Sequence, residues 1–135
     1  MSTVTWLGGP TFLLEISAFK WLADPMFGEG PAAFIMHDHP STGAPIAAIA
    51  RLAPLPPVDL RDLDGVIVSH LHSDHFDQAA ADRLDKSLTV IAAPEHAAAL
   101  NARGFQQVQP LKWWQAWVSQ KNDETLAITA VPARH

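Results

Sequence analysis

Cysteine is absent from this 135-residue chain. A disulfide scaffold is therefore excluded, and so is every thiolate-rich structural zinc site. The same absence fits a cytoplasmic protein. Basic runs are lacking as well. The 9 Lys and Arg face 14 Asp and Glu, for a formal net charge of -5, and no stretch of them could track a phosphate backbone. Nucleic acid is excluded as a partner on that ground. No apolar run is long enough to span a bilayer, and no charged start followed by an apolar stretch reads as a signal peptide. The helical H-E-x-x-H pair of zincins is missing too. What is present is a chain of 48% hydrophobic residues, enough for one domain with a real core.

The chemistry is concentrated in seven residues. Ser69-His70-Leu71-His72-Ser73-Asp74-His75 places three imidazoles and a carboxylate directly after the apolar run Val66-Ile67-Val68. Imidazole and carboxylate are ligand types that suit zinc, manganese and iron. Side chains alternate along a strand, so at a strand end His70 and His72 point the same way and can grip one ion. Asp74 and His75 follow where the chain turns. They face the same pocket from another angle, able to hold a second ion or a water beside the first. Three roles stay open for Asp74: a ligand of the second ion, a general base orienting the attacking water, or a cap for the helix after Phe76.

Around this stretch the pattern reads as alternating strands and helices. Val4–Leu7, Thr11–Ile16 and Phe19–Ala23 are short strands, punctuated by Gly8-Gly9-Pro10 and Asp24-Pro25. Residues 26–57 hold several Pro and Gly without a period. They predict an irregular excursion with one helical turn around Ile46–Leu52, suited to substrate selection at the metal mouth. Gly65–Ser69 is a strand apolar on both faces, as a buried strand should be. Asp77–Lys86 reads as a helix, Thr89–Ala92 as a buried strand, and Pro94–Arg103 as a helix opened by Pro and closed by Gly104. Phe105–Gln109 is a strand. Trp117–Gln120 and Thr125–Val131 pair as a hairpin around residues 121–124. The order defines an α/β layered domain.

Other residues carry weaker signals. His37 and His39 lie two apart in the excursion and read as loop or substrate-facing residues rather than ligands. His96 falls in the first turn of a helix, at the surface. Trp113, Trp114 and Trp117 are assigned to core packing, with a pocket lining as the alternative. Arg51 is either a surface residue or a contact for an anionic substrate group.

The H-x-H-x-D-H motif resembles the signature of the metallo-β-lactamase superfamily. Thr5-Trp6-Leu7-Gly8-Gly9, Thr11-Phe12-Leu13-Leu14-Glu15-Ile16 and Trp21-Leu22-Ala23-Asp24-Pro25 are similar to that family's first hairpin and its Asp-bearing turn. Leu55-Pro56-Pro57-Val58-Asp59 precedes the metal strand as in many members. Lys112-Trp113-Trp114 and Ala130-Val131-Pro132-Ala133-Arg134-His135 look like the branch containing L-ascorbate-6-phosphate lactonase and N-acylphosphatidylethanolamine-hydrolysing phospholipase D. The resemblance runs the length of the chain. It implies a metallo-β-lactamase-like αββα sandwich over residues 1–135, represented by its N-terminal half, a mixed sheet with helices on one face.

It also implies roles. His70, His72 and His135 would hold the catalytic metal; Asp74 and His75 would hold a second metal or orient the water. Asp24 resembles the carboxylate beneath the ligand loop that fixes a ligand His in one tautomer, with a plain Asp-Pro turn as the alternative. The cofactor implied is zinc, with manganese or iron acceptable, in one or two ions per complete site. The expected activity is hydrolysis of an ester, lactone or phosphodiester bond in a small-molecule substrate by metal-activated water. Family members continue past His135 with a bridging Asp, a later His and the second half of the sandwich. The alternative is therefore a truncated, catalytically incompetent half domain that binds metal incompletely. Its bare, apolar sheet face would meet the missing C-terminal half or a second copy in a homodimer. On either view the isolated chain is expected to turn over substrate poorly.

Overall fold

Three antiparallel strands open the chain: β1 (Ser2–Gly8), β2 (Thr11–Ile16) and β3 (Phe19–Ala23). The computed structural model describes residues 1–36 and 47–134. Gly8 and Gly9, at φ 112° and 54°, carry the first turn, where a side chain would be strained. Strands β4 (Phe34–Met36) and β5 (Ala47–Ile49) form a separate two-stranded sheet. Then come β6 (Gly65–Val68), α1 (Gln78–Arg83), β7 (Thr89–Ala92), α2 (Ala97–Ala102) and β8 (Gln107–Pro110). The hairpin β9 (Ala116–Lys121) and β10 (Glu124–Thr129) closes the described part.

The main sheet runs β1-β2-β3-β6-β7-β8. Its first half is antiparallel, whereas β3, β6, β7 and β8 are mutually parallel. Parallel neighbours need crossover connections, and α1 and α2 supply them between β6, β7 and β8. The C-terminal ends of the parallel strands therefore lie along one edge, the usual place for ligands in such sheets.

Alternation assigns each face. Leu22, Val66, Val68, Val90 and Ala92 point to the helix side, packing with Ala80, Ala81, Leu84, Leu100 and Phe105. Leu22, Val66, Val90 and Leu100 are completely buried. Each such side chain contributes roughly 1.5–3 kcal/mol of transfer free energy. Phe19, Trp21 and Ile91 point the other way, where Trp117, Leu126 and Ile128 of the hairpin cover them. The Trp21 and Trp117 rings meet edge to face at 5.3 Å. Lys121 fastens the hairpin to the sheet through Asp64, at 2.7 and 2.9 Å. Gly65 is dictated by this packing: a Cβ there would lie 2.5 Å from Trp21 Cη2 and 2.7 Å from Thr89 O.

The expected strands and helices recur with shifted ends. The helix predicted over Asp77–Lys86 is shorter, with Asp77 as its cap: the Asp77 carboxylate accepts the Ala80 N–H at 2.8 Å. The helix predicted from Pro94 opens as a 3-10 turn over Pro94–His96, and Gly104 at φ 95° ends it. The strand expected at Phe105 begins at Gln107. The closing hairpin turns on Asn122 and Asp123 alone, both left-handed at φ 51° and 63°. Two such residues match the twist of the flanking strands.

The helical turn expected around Ile46–Leu52 is not formed; Ala47–Ile49 pair with Phe34–Met36 as a strand instead. A short apolar run has no period that separates helix from strand, and pairing decided it. The helices do lie on one face of the main sheet. The opposite face, expected to be bare, is covered by the β9–β10 hairpin over β3 and β7. It stays open toward β1, where Val4 and Trp6 are 63% and 70% exposed. No helix among the described residues is long and apolar enough to cross a membrane.

Candidate metal centre

Strand β6 ends at Val68, two residues before the first histidine. Strand alternation therefore does not aim His70 and His72. A folded loop does. The His75 and Phe76 N–H groups both donate to His72 O, at 2.9 and 3.0 Å, closing a tight turn. Phe76 is buried and packs edge to face on Phe105 at 5.8 Å, while Leu71 rests against the helix-side core. Ser73 Oγ donates to Ile35 O at 2.6 Å. With its apolar members turned inward, the loop presents its imidazoles on the remaining side.

The rings do converge. His70 lies 4.6 Å from His72 and 4.0 Å from His75, centroid to centroid. Asp74 Oδ2 stands 3.9 Å from His75 Nε2. Asp74 does not cap the helix; Asp77 has that task and also accepts the Gly28 N–H at 2.6 Å. Asp77 therefore ties the start of the excursion to α1.

Asp24 lies beneath the loop. It ends β3 in a left-handed turn at φ 41°, and its N–H donates to Ile67 O at 2.9 Å on the neighbouring strand. The fully buried Thr11 fixes that turn, donating to Asp24 O at 2.6 Å and accepting the Met26 N–H at 3.0 Å. The carboxylate so placed accepts the Ser69 N–H and the Ser69 hydroxyl, both at 2.7 Å. Its Oδ2 is also 2.8 Å from His75 Nδ1. Asp24 thus belongs to an Asp-Pro turn and lies beneath the His-rich loop at once. The turn and the contact with the His75 ring occur together.

Other expectations resolve differently. Arg51 is not a free surface residue: it donates to Gly28 O at 2.9 Å, Met26 O at 2.6 Å and Leu7 O at 3.3 Å. A guanidinium has five donors in a fixed fork, which lets one side chain satisfy three carbonyls of different segments. Trp117, partly buried, packs against the core, but Trp113 and Trp114 are 64% and 70% exposed. His96 is half-buried at the start of α2 rather than fully at the surface. His37, His39 and His135 lie outside the described residues. Among the described residues no group of three or more His, Cys, Asp or Glu side chains is placed to hold an ion by itself. Sequence reasoning missed Ser69 and Thr11. The one available signal was the place of Ser69 beside the first histidine; Thr11 meets the Asp24 turn only once β2 pairs with β3.

A mixed sheet with crossover helices on one face, and a His-rich loop where its parallel strands end, has the architecture of the metal-dependent hydrolases of the metallo-β-lactamase fold. The match of the Beta-lactamase superfamily domain family to residues 21–135 makes the assignment definite: the chain belongs to that family. It is 30% identical over 139 residues to N-acyl-phosphatidylethanolamine-hydrolyzing phospholipase D 1 of Caenorhabditis elegans, across 97% of this chain and 37% of that protein. It is 30% identical over 113 residues to UPF0173 protein YddR of Bacillus subtilis, across 80% of this chain and 42% of the other. Among solved structures, an isothiocyanate hydrolase from Delia radicum gut bacteria aligns with a TM-score of 0.65 at 27% identity, covering 91% of this chain and 44% of that one. A possible metal-dependent hydrolase from Veillonella parvula aligns with a TM-score of 0.66 at 20% identity, covering 93% and 46%, a likeness of fold alone. The chain thus spans less than half the length of these relatives. The family is one of metal-dependent hydrolases, and its fold implies a metal cofactor.

Proposed function

We propose that this chain carries the first ligand motif of a hydrolase that uses metal-activated water on an ester, lactone or phosphodiester bond. One observation carries the reading: the His70 ring lies 4.6 Å from His72 and 4.0 Å from His75, in a loop underpinned by the Asp24 carboxylate. This donor set fits a divalent ion by its chemistry, since imidazole and carboxylate without thiolate suit zinc and also accept manganese or iron. His70 and His72, joined by His135, would hold one ion. Asp74 and His75 would hold a second or orient the water. A bound ion supplies Lewis acidity and makes water acidic enough to ionise near neutral pH. Asp24 and Ser69 keep two of the rings in place, and the buried Phe76 keeps the loop from folding inward. The relatives' names speak for two substrate types, a phosphodiester and an isothiocyanate, so a substrate panel should include both.

The test begins with metal-free protein reloaded with zinc and measured by elemental analysis. Wild type should retain zinc and His72→Ala should lose it. His72 is exposed, so the variant should stay folded. Equal retention by both proteins sinks the site. A second reading, a half domain that works only with a partner surface or a second copy, is favoured by the open sheet face at Val4 and Trp6. Light scattering separates the two. A dimer without turnover supports the second reading, whereas brisk zinc-dependent hydrolysis by a monomer overturns it.

A further inference from the structure

We propose that Ser69 is a positioning residue that relays the charge of Asp24 to His70, so that one carboxylate sets the tautomer of two ligand imidazoles. The proposal rests on the metal-centre reading above. Ser69 follows β6, and its N–H and hydroxyl reach the two oxygens of Asp24, each at 2.7 Å. A carboxylate has no proton to give, so the hydroxyl is the donor in that contact. A serine hydroxyl has one proton. Toward His70 Nδ1, 3.0 Å away, Ser69 Oγ can therefore only accept. The proton of a neutral His70 ring then sits on Nδ1 and its lone pair on Nε2.

His75 reaches the same state directly. Its Nδ1 is 2.8 Å from Asp24 Oδ2 and must donate to it. The longer approach of Ser69 Oγ to His75 Nδ1, 3.3 Å, is subordinate to that bond. Both rings thus offer Nε2 as the ligand atom: one through direct contact with the carboxylate, the other through a single hydroxyl. The anchor is rigid because Thr11 holds the Asp24 carbonyl and the Met26 N–H together. A hydroxyl at position 69 is the specific requirement. Alanine removes the relay and leaves the Asp24–His75 contact intact; threonine keeps the oxygen at the same place on the chain.

Histidine-specific 15N labelling of metal-free wild type, Ser69→Ala and Ser69→Thr tests this, at a pH where the rings are neutral. Long-range 1H–15N spectra read which nitrogen carries the proton. His70 and His75 should both be protonated on Nδ1 in wild type and in Ser69→Thr. In Ser69→Ala, His70 should move toward the Nε2-protonated form while His75 stays. The zinc dissociation constant, measured by chelator competition, should rise about 10- to 100-fold in Ser69→Ala and return to within a few-fold of wild type in Ser69→Thr. A His70 tautomer indifferent to Ser69→Ala overturns the proposal, as does an affinity loss that threonine fails to restore in a folded protein. Ser69-dependent tautomers in a wild-type protein that binds no zinc support the relay and sink the metal reading instead.

Discussion

Asp24→Asn should separate folding from metal binding, which Asp24→Ala cannot do. The carboxylate accepts three hydrogen bonds: two from Ser69 at 2.7 Å and one from His75 at 2.8 Å, with the side chain 13% exposed. Asparagine keeps an oxygen for the Ser69 N–H and tolerates the left-handed backbone at φ 41°. Its amide nitrogen takes the place of Oδ2. Two protons then reverse: Ser69 Oγ accepts from the amide, and so does His75 Nδ1. Every contact survives at neutral strength, so the fold should lose only about 1 kcal/mol. The His75 proton, however, is forced onto Nε2, and the lone pair that would meet an ion is gone. Zinc affinity should fall about 10- to 100-fold. Alanine gives up all three contacts in a strained turn, and roughly 2–4 kcal/mol of stability should go with them. Urea unfolding measures the first quantity and chelator competition the second. An asparagine variant with wild-type zinc affinity, or with His75 still protonated on Nδ1, would refute the reasoning.

Three further perturbations test the scaffold. Gly65→Ala drives a methyl into Trp21 and Thr89 O, neither of which can move without disturbing β3 or β7; a loss of about 2–3 kcal/mol in urea unfolding is expected. Trp117→Ala removes the edge-to-face partner of Trp21 and should cost about 2–4 kcal/mol. It should also raise proteolytic cleavage within residues 116–129, without altering zinc affinity. Asp77→Ala removes the cap of α1 and leaves the Gly28 N–H unsatisfied, for about 2 kcal/mol by thermal unfolding, with the excursion freed from α1.

How far the sequence reaches is visible at particular residues. Val66-Ile67-Val68 was legible as a buried strand because it is short, β-branched and bounded by turn residues, and apolar residues on both faces need cover on both faces. The Asn122-Asp123 turn was legible as a hairpin, since few residues accept the left-handed region twice in succession. Ala47–Ile49 was not legible: without a period, only the pairing with Phe34–Met36 makes it a strand. Arg51 was equally opaque. Nothing local says that its guanidinium would collect carbonyls from residues 7, 26 and 28, which meet only when β1 and the Asp24 turn come together.

The order of the residues alone determined the chemistry on offer, three imidazoles and a carboxylate in one loop with no thiol anywhere, because ligand type is a property of composition. It determined the layered fold class too, through periods of hydrophobicity. Tertiary structure decided which atoms of those side chains meet the Asp24 carboxylate. Asp24 and Ser69 are 45 residues apart in the chain and become neighbours only where β3 pairs with β6. A proton's place on an imidazole depends on what lies within about 3 Å of it, and no linear pattern encodes a distance across a sheet.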